Sequence, residues 1–210
     1  YCMPEEGIRL TGYEMILRDY EILRICRVMA ELGITRIKIT GGEPLVRRGV
    51  PELVRQIKEI PGIEKVTLTT NGILLKEQMR ALADAGLDSL NVSLDTRDRE
   101  CFREITRRDL LDETLAGIEE AMKYSQVQLK LNCVPLGIQE QNLCEIVEFA
   151  QKYPVHVRFI EMMPIGYGSS FEGMSQEKIV VLLEQKFGKL VPYEGKPLGN
   201  GPCRYHSVDG

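Results

Sequence analysis

The stretch Arg36-Ile37-Lys38-Ile39-Thr40-Gly41-Gly42-Glu43-Pro44 carries the pattern that decides the fold. Successive side chains of a strand point to opposite sides, so Ile37 and Ile39 share one face and Arg36, Lys38 and Thr40 the other. The alternation returns in four more runs. Thr67 and Thr69 form a polar row within Lys65–Thr70, and Asn91, Ser93 and Asp95 oppose Leu90, Val92 and Leu94. Gln128, Lys130 and Asn132 oppose Leu129, Leu131 and Cys133, while His156 and Arg158 oppose Val155 and Val157. Strands are therefore expected at Arg36–Thr40, Lys65–Thr70, Ser89–Leu94, Val127–Val134 and Val155–Met162. Helix-like stretches lie at Glu14–Leu32, Val50–Glu59, Lys76–Ala85, Leu111–Lys123 and Glu140–Lys152. Gly33, Gly62 and Gly86 stand just past three of them, where a terminating residue is favoured.

Repeated strand–helix–strand units imply an α/β fold with a parallel sheet and right-handed crossovers. Strands covered by helices on both faces should be apolar throughout. These have one apolar and one polar side. Right-handed crossovers place all helices on one side when the sheet curls, so the expectation is a barrel or partial barrel with a polar lumen. Inward charges are costly unless paired or wet. A lumen carrying Lys38, Lys130 and Arg158 points to a bound polyanion, and the competing reading pairs these cations internally with Asp95 and Glu161.

Composition sets the outer bounds. The 210 residues fit one large domain, and 43% hydrophobic with 28% charged residues argues against a disordered or fibrous chain. A net charge of −4 gives no reason to expect nucleic acid, so an anion site must be local. No apolar run approaches membrane-spanning length and no signal-peptide pattern is present, so a cytoplasmic protein without a membrane partner is expected. The six cysteines contain no CxxC pair, and Cys26, Cys101 and Cys144 read as buried thiols.

In strand–helix barrels the chemistry gathers at the carboxyl ends of strands. Five such ends are legible: Thr40-Gly41-Gly42-Glu43-Pro44, Thr69-Thr70-Asn71-Gly72, Ser93-Leu94-Asp95, Asn132-Cys133-Val134-Pro135 and Glu161-Met162-Met163-Pro164. Two glycines allow close approach of a ligand to the backbone, and Glu43 beside them reads as a carboxylate suited to an ammonium group.

Tyr1-Cys2-Met3-Pro4-Glu5-Glu6-Gly7 resembles the end of the cluster loop of the radical S-adenosylmethionine (SAM) superfamily, whose pattern is CxxxCxxC. Along the chain, Arg36–Arg48, Leu68–Gly72, Leu90–Asp95 and Arg158-Phe159-Ile160-Glu161-Met162-Met163 are similar to the GTP 3',8-cyclase family within it. The resemblance implies a partial (β/α)6 TIM-like barrel of the radical SAM type, lacking its first strand. Residues 1–187 would be the barrel core and 188–210 the start of a C-terminal region. It implies two 4Fe-4S clusters and SAM as cofactors of the full-length protein. Cys2 would be a cluster ligand, and Tyr1, Gly42, Glu43, Ser93 and Met163 would contact SAM. Lys38, Thr69, Lys130, Arg158 and Arg36 would bind GTP. At Lys38 the family usually carries Arg, so the charge is kept and the bidentate fork lost.

The implied activity is a lyase of molybdenum cofactor biosynthesis. A 5'-deoxyadenosyl radical takes H3' of GTP, and the carbon radical closes on C8 to give 3',8-cyclo-GTP, the precursor of cyclic pyranopterin. The fragment itself, lacking the other cluster cysteines, is expected to be inactive. The partners implied are GTP, an electron-donor protein and a downstream cyclic pyranopterin synthase, with a homodimer left open. Another radical SAM enzyme such as a peptide maturase is the nearest alternative, and a Schiff-base aldolase barrel using Lys130 is a more distant one.

Overall fold

The computed structural model describes residues 12–163, 168, 172–195, 198, 201 and 203–208. Five strands, β1 (Arg36–Ile39), β2 (Lys65–Thr70), β3 (Ser89–Ser93), β4 (Gln128–Cys133) and β5 (His156–Phe159), lie side by side in chain order. Each is parallel to its neighbours. Among the described residues seven α-helices accompany them: α1 (Asp19–Glu31), α2 (Val50–Lys58), α3 (Leu75–Asp84), α4 (Arg99–Thr106), α5 (Leu111–Ala121), α6 (Leu143–Lys152) and α7 (Gln176–Phe187). Strands that follow in order need a connection stepping the same way each time, which is the topology of a barrel wall. Neighbouring helices pack α1 on α2, α2 on α3, α3 on α5 and α6 on α7. Among the described residues β1 and β5 are the sheet's two edges, so the wall is open.

The alternation expected from the sequence is what builds the core. Val66, Leu68, Leu90, Val92, Leu131 and Cys133 are completely buried, and so are Val54, Met79, Leu82, Ile118 and Ile146 of the helices. Burying one Leu or Val side chain contributes about 1.5–3 kcal/mol, so this single contiguous cluster supplies most of the driving force for folding.

The register then fixes what shares the opposite face. Arg36 lies beside Lys65, and Lys38 beside Thr67. Thr69 lies beside Asn91, and Asn91 beside Lys130. Lys130 lies beside His156, and Asn132 beside Arg158.

Several boundaries differ from expectation. Thr40, Leu94, Val134 and Ile160–Met162 lie past the strand ends, although Leu94 N still donates to Asn132 O (2.9 Å) and Ile160 N to Cys133 O (2.8 Å). The long helix expected from Glu14 starts only at Asp19, because Arg47 binds the Leu17 carbonyl (2.8 Å) and Asp19, holding the chain extended before the helix. The stretch expected from Glu140 opens with a separate 3-10 turn, Gln139–Gln141, and turns at Asn142 (φ 45°) before α6. Two helices went unread. Asp98 caps α4 by accepting from Cys101 N (2.8 Å), and Ser175 caps α7 by accepting from Lys178 N (3.4 Å).

Near the chain end a short second sheet forms, in which β6 (Val191–Pro192) pairs antiparallel with β7 (His206–Ser207). The sequence Val208-Asp209-Gly210 that follows reads as a further hairpin turn. Asp209 and Gly210 lie outside the described residues.

Candidate active site

At the end of β1, Gly41 has φ +150°, and no heavy atom lies within 4 Å of where a Cβ would sit on Gly41 or on Gly42. The glycines therefore leave a free backbone edge, as a ligand's close approach requires. Gly42 and Ser93 are exposed, and Met163 is 63% exposed past the end of β5.

Glu43 behaves differently from the expectation of a waiting ammonium ligand. Its Oε1 accepts from Leu45 N (2.9 Å) and Thr70 Oγ1 (2.7 Å), and its Oε2 accepts from Asn71 N (2.7 Å). Three of about four acceptor positions are thus filled from within the protein. Thr70 Oγ1 in turn accepts from Gly72 N (3.1 Å). On the far side, α5 presses on the same turn. A Cβ at Gly117 would stand 2.4 Å from Gly72 O, and Thr114 Oγ1 donates to Asn71 O (3.2 Å).

The polar face of β2–β5 holds a second network. Arg158 donates to Asn132 Oδ1 through Nε (3.0 Å) and Nη2 (2.7 Å), and to Asn91 Oδ1 through Nη2 (2.9 Å). Asn91 Nδ2 reaches Thr69 Oγ1 (3.3 Å). Lys130 is only 4% exposed and donates to the Leu198 carbonyl. Neither cation forms an ion pair with a carboxylate among the described residues. Internal pairing with Asp95 and Glu161 is therefore not what the structure holds. Asp95 Oδ1 accepts from Val134 N (2.8 Å), and Glu161 is exposed.

Charge without countercharge has electrostatic consequences. Burial first, then Arg158 and the more distant Lys65 and Lys38, push the Lys130 ammonium below the usual lysine range, opposed by Cys203. Burial first, then Lys130, likewise lower His156. Lys130→Met removes a buried cation whose charge is not neutralised. Thermal or denaturant unfolding of the ligand-free protein should show stability kept within about 1 kcal/mol, since the lost Leu198 bond offsets the relief. A loss several times larger would mean that Lys130 is a structural charge. The sign follows from its lowered value: binding of a polyanion should weaken as pH rises through the depressed Lys130 titration, below the pH at which an ordinary lysine would lose its proton.

The sequence-predicted residues fall into four groups. Gly42, Glu43, Ser93 and Met163 stand at or just past the ends of β1, β3 and β5. Thr69 and Arg158 share one hydrogen-bond network through Asn91 and Asn132, which the sequence marked only as polar positions, and Lys130 lies beside Asn91 in register with its ammonium turned to the Leu198 carbonyl. Arg36 and Lys38 stand exposed on the same face at the β1 edge. Tyr1 and Cys2 lie outside the described residues.

Sequence reasoning missed the closing segment. Cys203 Sγ lies 3.9 Å from Arg158 Nη1, and the buried Tyr205 hydroxyl sits near both. Nothing in the local pattern of 188–210 marks those contacts.

The open glycine edge past β1, Ser93 at the end of β3 and Met163 past β5 are exposed at the carboxyl ends of alternate strands, which the described residues leave open to a ligand. The described residues do not supply a cluster site, because no three His, Cys, Asp or Glu side chains converge among them. Cys133 is unsuited, since burial first, then Asp95, raise its thiol well up, and it donates to Asp95 O (3.5 Å). Cys26, Cys101 and Cys144 are buried, in line with the thiol reading. No described helix is long and apolar enough to cross a membrane.

Against known proteins, residues 1–152 match the radical SAM superfamily. A protein named GTP 3',8-cyclase from Clostridium perfringens (strain SM101 / Type A) is 39% identical over 212 residues, covering 100% of this chain and 65% of that protein. Another of that name, from Pelotomaculum thermopropionicum, is 42% identical, covering 99% of this chain and 65% of its own length. The chain thus spans about two thirds of these relatives. Among solved structures, methylornithine synthase (PylB) superposes with a TM-score of 0.63 at 18% identity over 87% of this chain and 56% of its own. TYW1 with a lysine-pyruvate adduct bound superposes at 0.62 with 16% identity, over 82% and 63%. Those two likenesses speak for the barrel wall alone. The superfamily match over residues 1–152, which spans β1 to β4, and the 39–42% identity along the whole chain settle the family: this chain belongs to the radical SAM superfamily.

Proposed function

We propose that the full-length protein is a GTP 3',8-cyclase, a lyase acting on GTP in molybdenum cofactor biosynthesis. The observation that carries this reading is the buried Lys130 and the half-buried Arg158, neither with a carboxylate partner among the described residues, on the face that also presents Thr69, Lys38 and Arg36. A triphosphate would supply the missing negative charge, and similarity to proteins named for this activity along the whole chain agrees with it.

In this reading Cys2 ligates the first cluster, and Tyr1, Gly42, Ser93 and Met163 hold SAM. When bound, the reduced cluster and SAM supply a 5'-deoxyadenosyl radical that removes H3' of GTP. The chain's own residues do the positioning. Lys130 and Arg158 fix the phosphates, Asn91 and Asn132 hold the Arg158 fork in place, and Thr69 offers a hydroxyl at the turn nearest the glycine edge. Fixing both reactants in one geometry is worth several kcal/mol of barrier. The domain division at residue 187, a second cluster, cytoplasmic location, an electron-donor protein, a downstream cyclic pyranopterin synthase and a homodimer belong to the same proposal.

The test is anaerobic reconstitution of the full-length gene product with iron and sulfide, then incubation with SAM, reductant and each nucleoside triphosphate in turn. Deoxyadenosine should form with GTP well above the other three. Formation only with a peptide, or equal formation with all four, would overturn the substrate assignment.

A further inference from the structure

Resting on that reading, we propose that Glu43 and Thr70 form a clamp that holds the glycine edge at a fixed distance from the polar face, making Thr70 a positioning residue of the reaction. The clamp joins two strand ends. Glu43 follows the glycines at the end of β1, while Thr70 and Asn71 close β2, and one carboxylate takes both donors of the second end at 2.7 Å each. Thr70 is 2% exposed, so its hydroxyl has no water to exchange for this bond. It donates to Glu43 and accepts from Gly72 N (3.1 Å), which ties the carboxylate to the turn itself. Asn71 Oδ1 accepts from Ile73 N (3.0 Å), and Thr114 and Gly117 of α5 back the turn from behind.

The consequence lies in what the clamp connects. Gly41 and Gly42 precede Glu43 directly. Thr69 precedes Thr70 directly and points to the other face, where Asn91 bonds it (3.3 Å) and Arg158 bonds Asn91 (2.9 Å). An unbroken series of covalent and hydrogen bonds therefore runs from the glycine edge to the guanidinium. Hydrogen bonds to a charged acceptor are roughly twice as strong as neutral ones, and three of them converge on this one part-buried carboxylate, which holds it in place. A sheet needs no carboxylate to stay folded at this point, because the ladder and the apolar face already hold β1 to β2. The clamp's particular effect is to stop the two strand ends from sliding apart, and a radical acting across about 3–3.5 Å tolerates little sliding.

The experiment compares Thr70→Val, Thr70→Ser and Glu43→Gln in the full-length protein, by two measurements. The first needs neither cofactor nor substrate. Amide hydrogen exchange at Leu45, Asn71 and Gly72 should speed up about tenfold or more in Thr70→Val and Glu43→Gln, and return close to wild type in Thr70→Ser. The second uses the reconstituted enzyme. Deoxyadenosine released per molecule of cyclised GTP should rise several-fold in Thr70→Val, while SAM affinity by calorimetry stays within about threefold. Unchanged exchange at all three amides would overturn the clamp. Faster exchange with an unchanged ratio would overturn the positioning role. If wild type does not cyclise GTP, the substrate reading fails and the exchange result still decides the clamp. Should Thr70→Val fail to fold, Thr70→Ala carries both measurements.

Discussion

A Gly117→Ala protein is expected to lose about 2 kcal/mol of stability, although alanine is the better helix former. Within α5 the exchange gains about 1 kcal/mol of helix propensity. Against that, the new methyl would stand 2.4 Å from Gly72 O and 2.9 Å from Leu75 Cβ. Both are fixed atoms: one is main chain, and the other is the first side-chain carbon of a completely buried leucine. Overpacking a core commonly costs 1–3 kcal/mol, and here relief requires moving α5 away from the Asn71–Gly72 turn, which also breaks the Thr114 bond to Asn71 O. Denaturant unfolding at an unchanged m-value would measure the loss as a shift in midpoint. A Gly117→Ala protein as stable as wild type would mean that α5 does not rest on that turn.

Arg158→Ala is expected to weaken GTP binding about 100-fold while changing SAM affinity less than threefold, both read by calorimetry on the full-length protein. Charge-assisted hydrogen bonds contribute about 1.5–3 kcal/mol each, and a 100-fold loss corresponds to about 2.7 kcal/mol. The variant also strands the Oδ1 atoms of Asn91, 4% exposed, and Asn132, 9% exposed, so a drop in stability of about 1–3 kcal/mol should accompany it. Arg158→Lys should recover only part of the affinity, because one ammonium cannot serve both amides and a phosphate as the guanidinium fork can. Lys38→Ala should cost less, about tenfold, since Lys38 is exposed and its charge is screened by water. Equal losses for GTP and SAM in Arg158→Ala would argue that Arg158 holds the wall together without touching a phosphate.

Much of this was legible from alternation. Once Ile37 and Ile39 opposed Arg36 and Lys38, and the same parity returned at Lys130 and Arg158, the polar lumen and its cations followed. The strand period is two, and parallel register keeps equal faces together. The carboxyl ends were legible for the same reason.

What escaped the sequence is whatever depends on partners far apart in the chain. Glu43 looked like a ligand because its neighbours are glycines, yet its acceptors are filled from 27 and 28 residues away. Arg158 looked ready for Asp95 or Glu161, yet it settled on Asn91 and Asn132, whose amides were visible but gave no sign of preference over a carboxylate. The contacts of Leu198 and Cys203 with the lumen cations have no period and no motif, so only the folded chain brings them together.

The most direct measurement of the central claim follows a single hydrogen. Reconstituted full-length protein would be given SAM, reductant and GTP deuterated at C3', and the deoxyadenosine analysed by mass spectrometry. The account predicts one deuterium in the methyl group of deoxyadenosine, together with 3',8-cyclo-GTP. Deoxyadenosine carrying no deuterium, with GTP recovered intact, would contradict it.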